Sequence, residues 1–259
     1  MMNFKKKLNP LSLGLLAGCL AIIAVLALAS TKAQKPLRIL LITSGCCHNY
    51  DFQSKALQDA LVGKADAQWT IVNEGGKGTE GMIDLYNNPN WAKGYDVVVH
   101  NECFADTKDE AYIHKITQAH YAGTPAVVIH CAMHTYRTSP IAEEWREFLG
   151  VTSRRHDHQS KYPVKRLLAY NPITKDMPET WTTPMDELYV IEKLWPNATA
   201  LASSVSEEDG KTYPCVWTNK YGKARVFGTT WGHGDATFKD PVYLSIVSRG
   251  ILWAAGRLD

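Results

Sequence analysis

A chain of 259 residues suits one large domain better than two full ones. With 45% hydrophobic and 21% charged residues it has the means to bury a core, which excludes a disordered chain. The net charge of +2 reflects Lys5, Lys6 and Lys7, so the remainder is close to neutral and carries no stripe for nucleic acid and no polybasic membrane patch.

The first predicted element is a targeting segment. A basic start leads into an uncharged run over 11–29, and Ala27-Leu28-Ala29 and Thr31-Lys32-Ala33 are small-x-small cleavage signals. Residues 1–33 therefore read as a signal peptide or, uncleaved, as an N-terminal membrane anchor. A lipoprotein reading of Leu16-Ala17-Gly18-Cys19 ranks last, because the apolar stretch continues past the cysteine. Each reading exports residues 34–259, as one domain, to the periplasm or cell surface. Beyond the leader stand Cys46, Cys47, Cys103, Cys131 and Cys215. Their odd number requires a free thiol or an intermolecular bridge, and the absence of CxxC argues against a disulfide framework.

Short apolar runs at 37–43, 96–99, 126–129 and 224–227 predict strands buried on both faces. Helices are expected over 52–63, 109–122, 143–149 and 243–255, with Gly123, Gly150 and Gly256 as stops. The alternation predicts an α/β fold with a doubly wound, mostly parallel sheet. Residues 151–223, punctuated by Pro163, Pro172, Pro178, Pro184 and Pro196, read as a late insertion of antiparallel strands and loops.

Ligands of such sheets bind beyond the carboxyl ends of the strands. Here every predicted strand runs directly into reactive side chains: Cys46-Cys47-His48, His100-Asn101-Glu102-Cys103, His130-Cys131 with His134 close behind, and Trp231-Gly232-His233-Gly234-Asp235. Among the imidazoles, His233 is the strongest functional candidate, since flanking glycines permit close backbone approach. His48 divides evenly between substrate or metal binding and a surface turn, and His130 between a ligand and a core residue. His100 reads as structural, and His114 and His120 as solvent-facing on a polar helix. His156 and His158 read as a polar loop or as a pair on one side of a strand.

Two chemistries can be assembled. One is a divalent metal, zinc or similar, on His48, His134 and His233, with His158 and Glu187 as further donors. The other is a Cys131 thiolate served by His233 and Asp235, although Cys131 lacks the glycines of a nucleophile elbow and reads more simply as a buried cysteine. Asp186-Glu187-Leu188-Tyr189 and the tryptophans, Trp231 among them, offer carboxylates and stacking faces to a sugar. No GxGxxG, GxxxxGK[ST] or GxSxG motif is present, so no nucleotide cofactor is expected.

In order and spacing, Gly45-Cys46-Cys47-His48, the run 126–132, 185–189, Pro214-Cys215-Val216-Trp217, 221–227, Gly232-His233 and 249–256 together resemble the ThuA-like (trehalose utilisation) family. The resemblance implies a flavodoxin-like, class I glutamine amidotransferase-like fold and use of a small glycoside, disaccharide or 3-keto sugar. It implies site residues His48, His130, Asp186, Glu187 and His233. Cys131 lies near the position of the amidotransferase cysteine, which the family typically lacks, and Met185 replaces a residue that is polar or His in many relatives. The resulting expectation is an exported hydrolase or lyase with His233, Glu187 and His48 catalytic, and His130, Asp186, Tyr189, Trp231 and Glu102 binding substrate. A non-catalytic sugar-binding protein and a Cys131 hydrolase remain as alternatives. The expected partner is a small carbohydrate, with membrane contact only through an uncleaved anchor; self-association into a homo-oligomer is left open.

Overall fold

The first strand, β1 (Leu37–Gly45), is buried along its length except at Arg38, as an apolar run between two neighbours and two helical layers must be. This computed structural model describes residues 34–140 and 142–258, so the predicted leader lies outside the described residues. β1 pairs in parallel with β2 (Ala67–Asn73) and β3 (Val97–Cys103). β3 continues in parallel to β4 (Ala126–Ile129), and β4 to β11 (Ala224–Thr229). The order β2-β1-β3-β4-β11 is that of a doubly wound sheet with a crevice between β1 and β3. All four predicted strands appear. β2 has no counterpart among them, because it is an edge strand whose residues are all partly or fully exposed, and it shows no unbroken apolar run.

The helices start where their caps dictate. Asn49 caps α1 (Tyr50–Leu61), Asp109 caps α2 (Glu110–Tyr121), and Asp240 caps α4 (Pro241–Ala254), which has proline at its first position. The short α3 (Glu143–Leu149) ends at Gly150, which is left-handed. α4 packs against β3, β4, β11 and α1, while α2 packs against α3. Gly250 permits that closeness: a Cβ there would stand 2.3 Å from the Phe227 ring.

Residues 151–223 are antiparallel as expected. Beyond β11 the sheet continues through β10 (Thr212–Tyr221), β9 (Thr199–Val205), β6 (Pro163–Arg166) and β7 (Thr180–Thr182). β5 (Val151–Ser160) and β8 (Asp186–Leu194) form a separate two-stranded ribbon with register shifts around His156. The ribbon touches β10 and the 3₁₀ turn that follows β4.

Two expectations fail inside the parallel half. His120 is fully buried, not solvent-facing. Its Nε2 lies 3.0 Å from His100 Nε2, and its Nδ1 lies 2.8 Å from the Thr124 carbonyl. Glu102, expected to bind substrate, is also fully buried, with Oε1 2.8 Å from His100 Nδ1. β3 turns His100 and Glu102 inward to meet His120 of α2 in the core, where Glu102 Oε1 is paired and Oε2 is buried without a partner.

Candidate functional site

Four strand ends, those of β1, β3, β4 and β11, and the ribbon line a cavity of about 270 Å³. At the end of β1, Gly45 is obligatory: it is left-handed, and a Cβ would stand 2.2 Å from the Cys103 carbonyl oxygen. The chain then forms a disulfide between neighbouring Cys46 and Cys47, with Cys47 left-handed, before presenting His48. His48 Nδ1 donates to the His233 carbonyl at 3.0 Å, which leaves Nε2 as the ring's free lone pair.

At the end of β4, His130 adopts φ +45° as the chain leaves the sheet for the 3₁₀ turn His130–Met133. Such a conformation costs a non-glycine residue about 1–3 kcal/mol and recurs at functional sites. His130 Nδ1 donates to the Thr230 carbonyl at 2.6 Å, and Nε2 lies 3.3 Å from the Tyr189 hydroxyl. His233 follows β11. Its Nε2 lies 2.8 Å from Gln159 Nε2, and its Nδ1 lies 3.3 Å from Glu187 Oε2 without hydrogen-bond alignment.

The ribbon supplies the charge. Glu187 Oε2 is 3.6 Å from both His130 Nε2 and His156 Nε2, and Oε1 accepts from Gln159 at 3.4 Å. Burial pushes the Glu187 carboxyl up, but the contacts with His233, His156 and Gln159 prevail and hold it below the usual carboxylate range. Glu187 in turn raises His233. Burial lowers His48 to about 4 and His130 well below the ordinary imidazole value, so both are neutral near pH 7.

Five placements differ from a site role considered in the sequence. His134 cannot serve a metal: Arg137 Nη1 lies 3.1 Å from Nδ1 and Ser153 Oγ 3.0 Å from Nε2, so both ring nitrogens are engaged, and the ring stacks on Tyr189. Trp231 is fully buried against Tyr162 and offers no face to a ligand. Asp186 is fully buried too. It accepts from the amides of Glu187, Gly232 and His233 and from the Thr237 hydroxyl, so it positions the His233 loop instead of lining the cavity. Burial raises its pKa to about 6, against those four donors. His158, a further metal candidate, is an exposed residue beside Glu207 and Glu208. Cys131 is paired with Cys103, which removes the free thiolate that a Cys131 hydrolase needs, and Cys215 is the free cysteine among the described residues.

The structure brings His48, His130, Glu187, Tyr189 and His233 to one cavity, joined by His156 and the ribbon residue Gln159. The sequence leaves His156 open between a polar loop and a strand; it lies on β5, and the irregular register that turns it toward Glu187 leaves no mark in the residue pattern. Gln159 carries no signal of its own in the sequence. Donor atoms of His48, His130 and His233 lie within 4.8 Å of one another. Two of these rings donate their other nitrogen to main-chain carbonyls, the usual orientation of metal-binding imidazoles. Three imidazoles gathered this closely are a donor set whose chemistry fits a zinc-like ion.

A family model described as trehalose utilisation matches residues 51–254. Among solved structures, a ThuA-like protein from Parabacteroides merdae superposes with a TM-score of 0.65 at 23% identity, covering 86% of this chain and 92% of its own. One from Bacteroides uniformis gives 0.65 at 16% identity, with coverages of 87% and 94%. A protein described as a GMP synthase component from Thermoplasma acidophilum gives 0.54 at 12% identity, covering 86% and 96%. The fold is thus glutamine amidotransferase-like. No curated protein matches the sequence.

Proposed function

The chain belongs to the ThuA (trehalose utilisation) family, and from that premise we propose an exported enzyme that processes a small glycoside, disaccharide or 3-keto sugar. Family membership supports a carbohydrate-related role, and the basic and apolar pattern of residues 1–33 supports export. The observation that carries the enzymatic reading is the convergence of His48, His130, His233 and Glu187, from four separate segments, on one cavity of sugar-ring size.

In this reading Glu187, ionised at neutral pH, takes a proton from a sugar hydroxyl or from attacking water. Gln159 holds the Glu187 and His233 side chains in register. The Tyr189 hydroxyl, beside His130 Nε2, donates to a ligand oxygen. Asp186 fixes the backbone that presents His233. A divalent ion held by His48, His130 and His233 would polarise a carbonyl or hydroxyl oxygen. The test is turnover of trehalose and of its 3-keto form, followed by sugar chromatography. Glu187→Gln is expected to lower kcat by about 10²–10⁴, the usual worth of a positioned base. Full activity in that variant would remove Glu187 from the chemistry.

A further inference from the structure

One wall of the cavity is built of sulfur. The bridges Cys46–Cys47 and Cys103–Cys131 both line it, and they touch: Cys46 Sγ lies 3.7 Å from Cys103 Sγ. The contact is fixed by the sheet, since Gly45 is the register partner of Cys103 and the Cys46 amide donates to the Cys103 carbonyl. The four cysteines form a gradient of access. Cys47 is exposed and Cys46 half-buried, while Cys103 and Cys131 are 3% and 8% exposed. Disulfides exchange by thiolate attack, so the accessible sulfur sets where a reductant enters and the nearest sulfur sets where the bond moves.

We propose that the two bridges form a thiol–disulfide relay that passes a reducing pair from an external dithiol at Cys47 to the buried Cys131. A thiolate of the dithiol attacks Cys47 Sγ; the Cys46–Cys47 bond breaks, and Cys46 leaves as a thiolate. Cys46 attacks Cys103 Sγ; a Cys46–Cys103 bond forms, the Cys103–Cys131 bond breaks, and Cys131 leaves as a thiolate that takes up a proton. The second thiol of the dithiol attacks its own sulfur in the mixed disulfide, closing the oxidised dithiol and releasing Cys47. The dithiol loses two electrons, and the protein exchanges two disulfides for one disulfide and two thiols. The freed Cys131 belongs to a group of donors, with His48 and Cys103, that lie within 4.8 Å of one another. Reduction thereby converts a disulfide wall into a thiol facing the imidazoles, independently of which sugar the cavity takes.

The test uses Cys47→Ser, which strands Cys46 as a thiol beside the intact Cys103–Cys131 bridge. The protein is acid-quenched, denatured, alkylated with iodoacetamide and mapped by peptide mass spectrometry, with buried Cys215 as the internal reference labelled in every sample. The expected result is label on both Cys46 and Cys131 in comparable amounts, together with a Cys46–Cys103 linked peptide. Label on Cys46 alone, with every Cys103 still linked to Cys131, overturns the relay. Unsubstituted protein treated with one equivalent of dithiothreitol gives a second reading that does not depend on the variant folding. Alkylated Cys47 and Cys131 with a Cys46–Cys103 link support the relay; alkylated Cys46 and Cys47 with the Cys103–Cys131 link retained overturn it.

Discussion

Two clusters of histidine and glutamate lie in the same fold and do different things. His100, Glu102 and His120 are fully buried between β3 and α2, and their ring nitrogens and one carboxylate oxygen are spent on one another and on Thr124. His48, His130 and His233 lie where three strands end and Glu187 comes from the ribbon, and all four line an open volume. Residue types do not separate the two, since a strand-end His followed closely by a carboxylate occurs in both. Position separates them. The first set is packed shut by Trp145 and Phe148, and the second is held apart by a ribbon that arrives from another part of the chain.

The widest gap between the clusters is expected in turnover. Glu187→Gln loses about 10²–10⁴ in kcat, whereas Glu102→Gln retains most of the activity of folded protein. Equal losses in both would erase the distinction. Next comes acid sensitivity of the closed cluster. Burial, with His100 alongside, lowers His120 to about 3, so it is neutral in the folded state and protonates below about 6.5 when unfolded. Its contribution to stability is fully present above 6.5 and is lost as pH falls toward 3, at roughly 1.4 kcal/mol per pH unit. Urea unfolding at pH 7 and pH 5 should therefore show a smaller loss in His120→Phe than in the parent.

Smaller effects follow. Glu102→Ala leaves His100 Nδ1 without its partner and should cost about 1–3 kcal/mol of stability, read as a lower urea midpoint with an unchanged slope. Gln159→Ala removes the two hydrogen bonds to Glu187 and His233 but no group that touches the reacting atoms, so turnover should fall about tenfold or less, with stability nearly constant. A loss as large as that of Glu187→Gln would make Gln159 more than a positioning residue.

Much of the fold can be read from the chain because the buried strands are unbroken β-branched runs, as in 126–129, and the helices carry cap residues such as Asp109 and Gly150. β2 escapes because an edge strand needs no such run. The histidines of the open cluster are legible through one rule, that parallel strands present ligands at their carboxyl ends, which points to His48, His130 and His233. The same rule misdirects Glu102 and His134, because it gives the end of a strand and not the direction of a side chain. Gln159 and His156 depend on the register shifts of the β5–β8 ribbon, a long-range pairing that no local pattern encodes. The Cys103–Cys131 bridge is hidden for the same reason, since its cysteines are 28 residues apart and meet only once β3 and β4 are paired.

The convergence of the three imidazoles is tested most directly by calorimetric titration of zinc into chelator-treated mature protein and its single alanine variants. The account predicts one equivalent bound by the parent and by His134→Ala, with binding weakened at least tenfold, about 1.4 kcal/mol, in His48→Ala, His130→Ala and His233→Ala. Binding that survives in those three variants, or that disappears in His134→Ala alone, would contradict it.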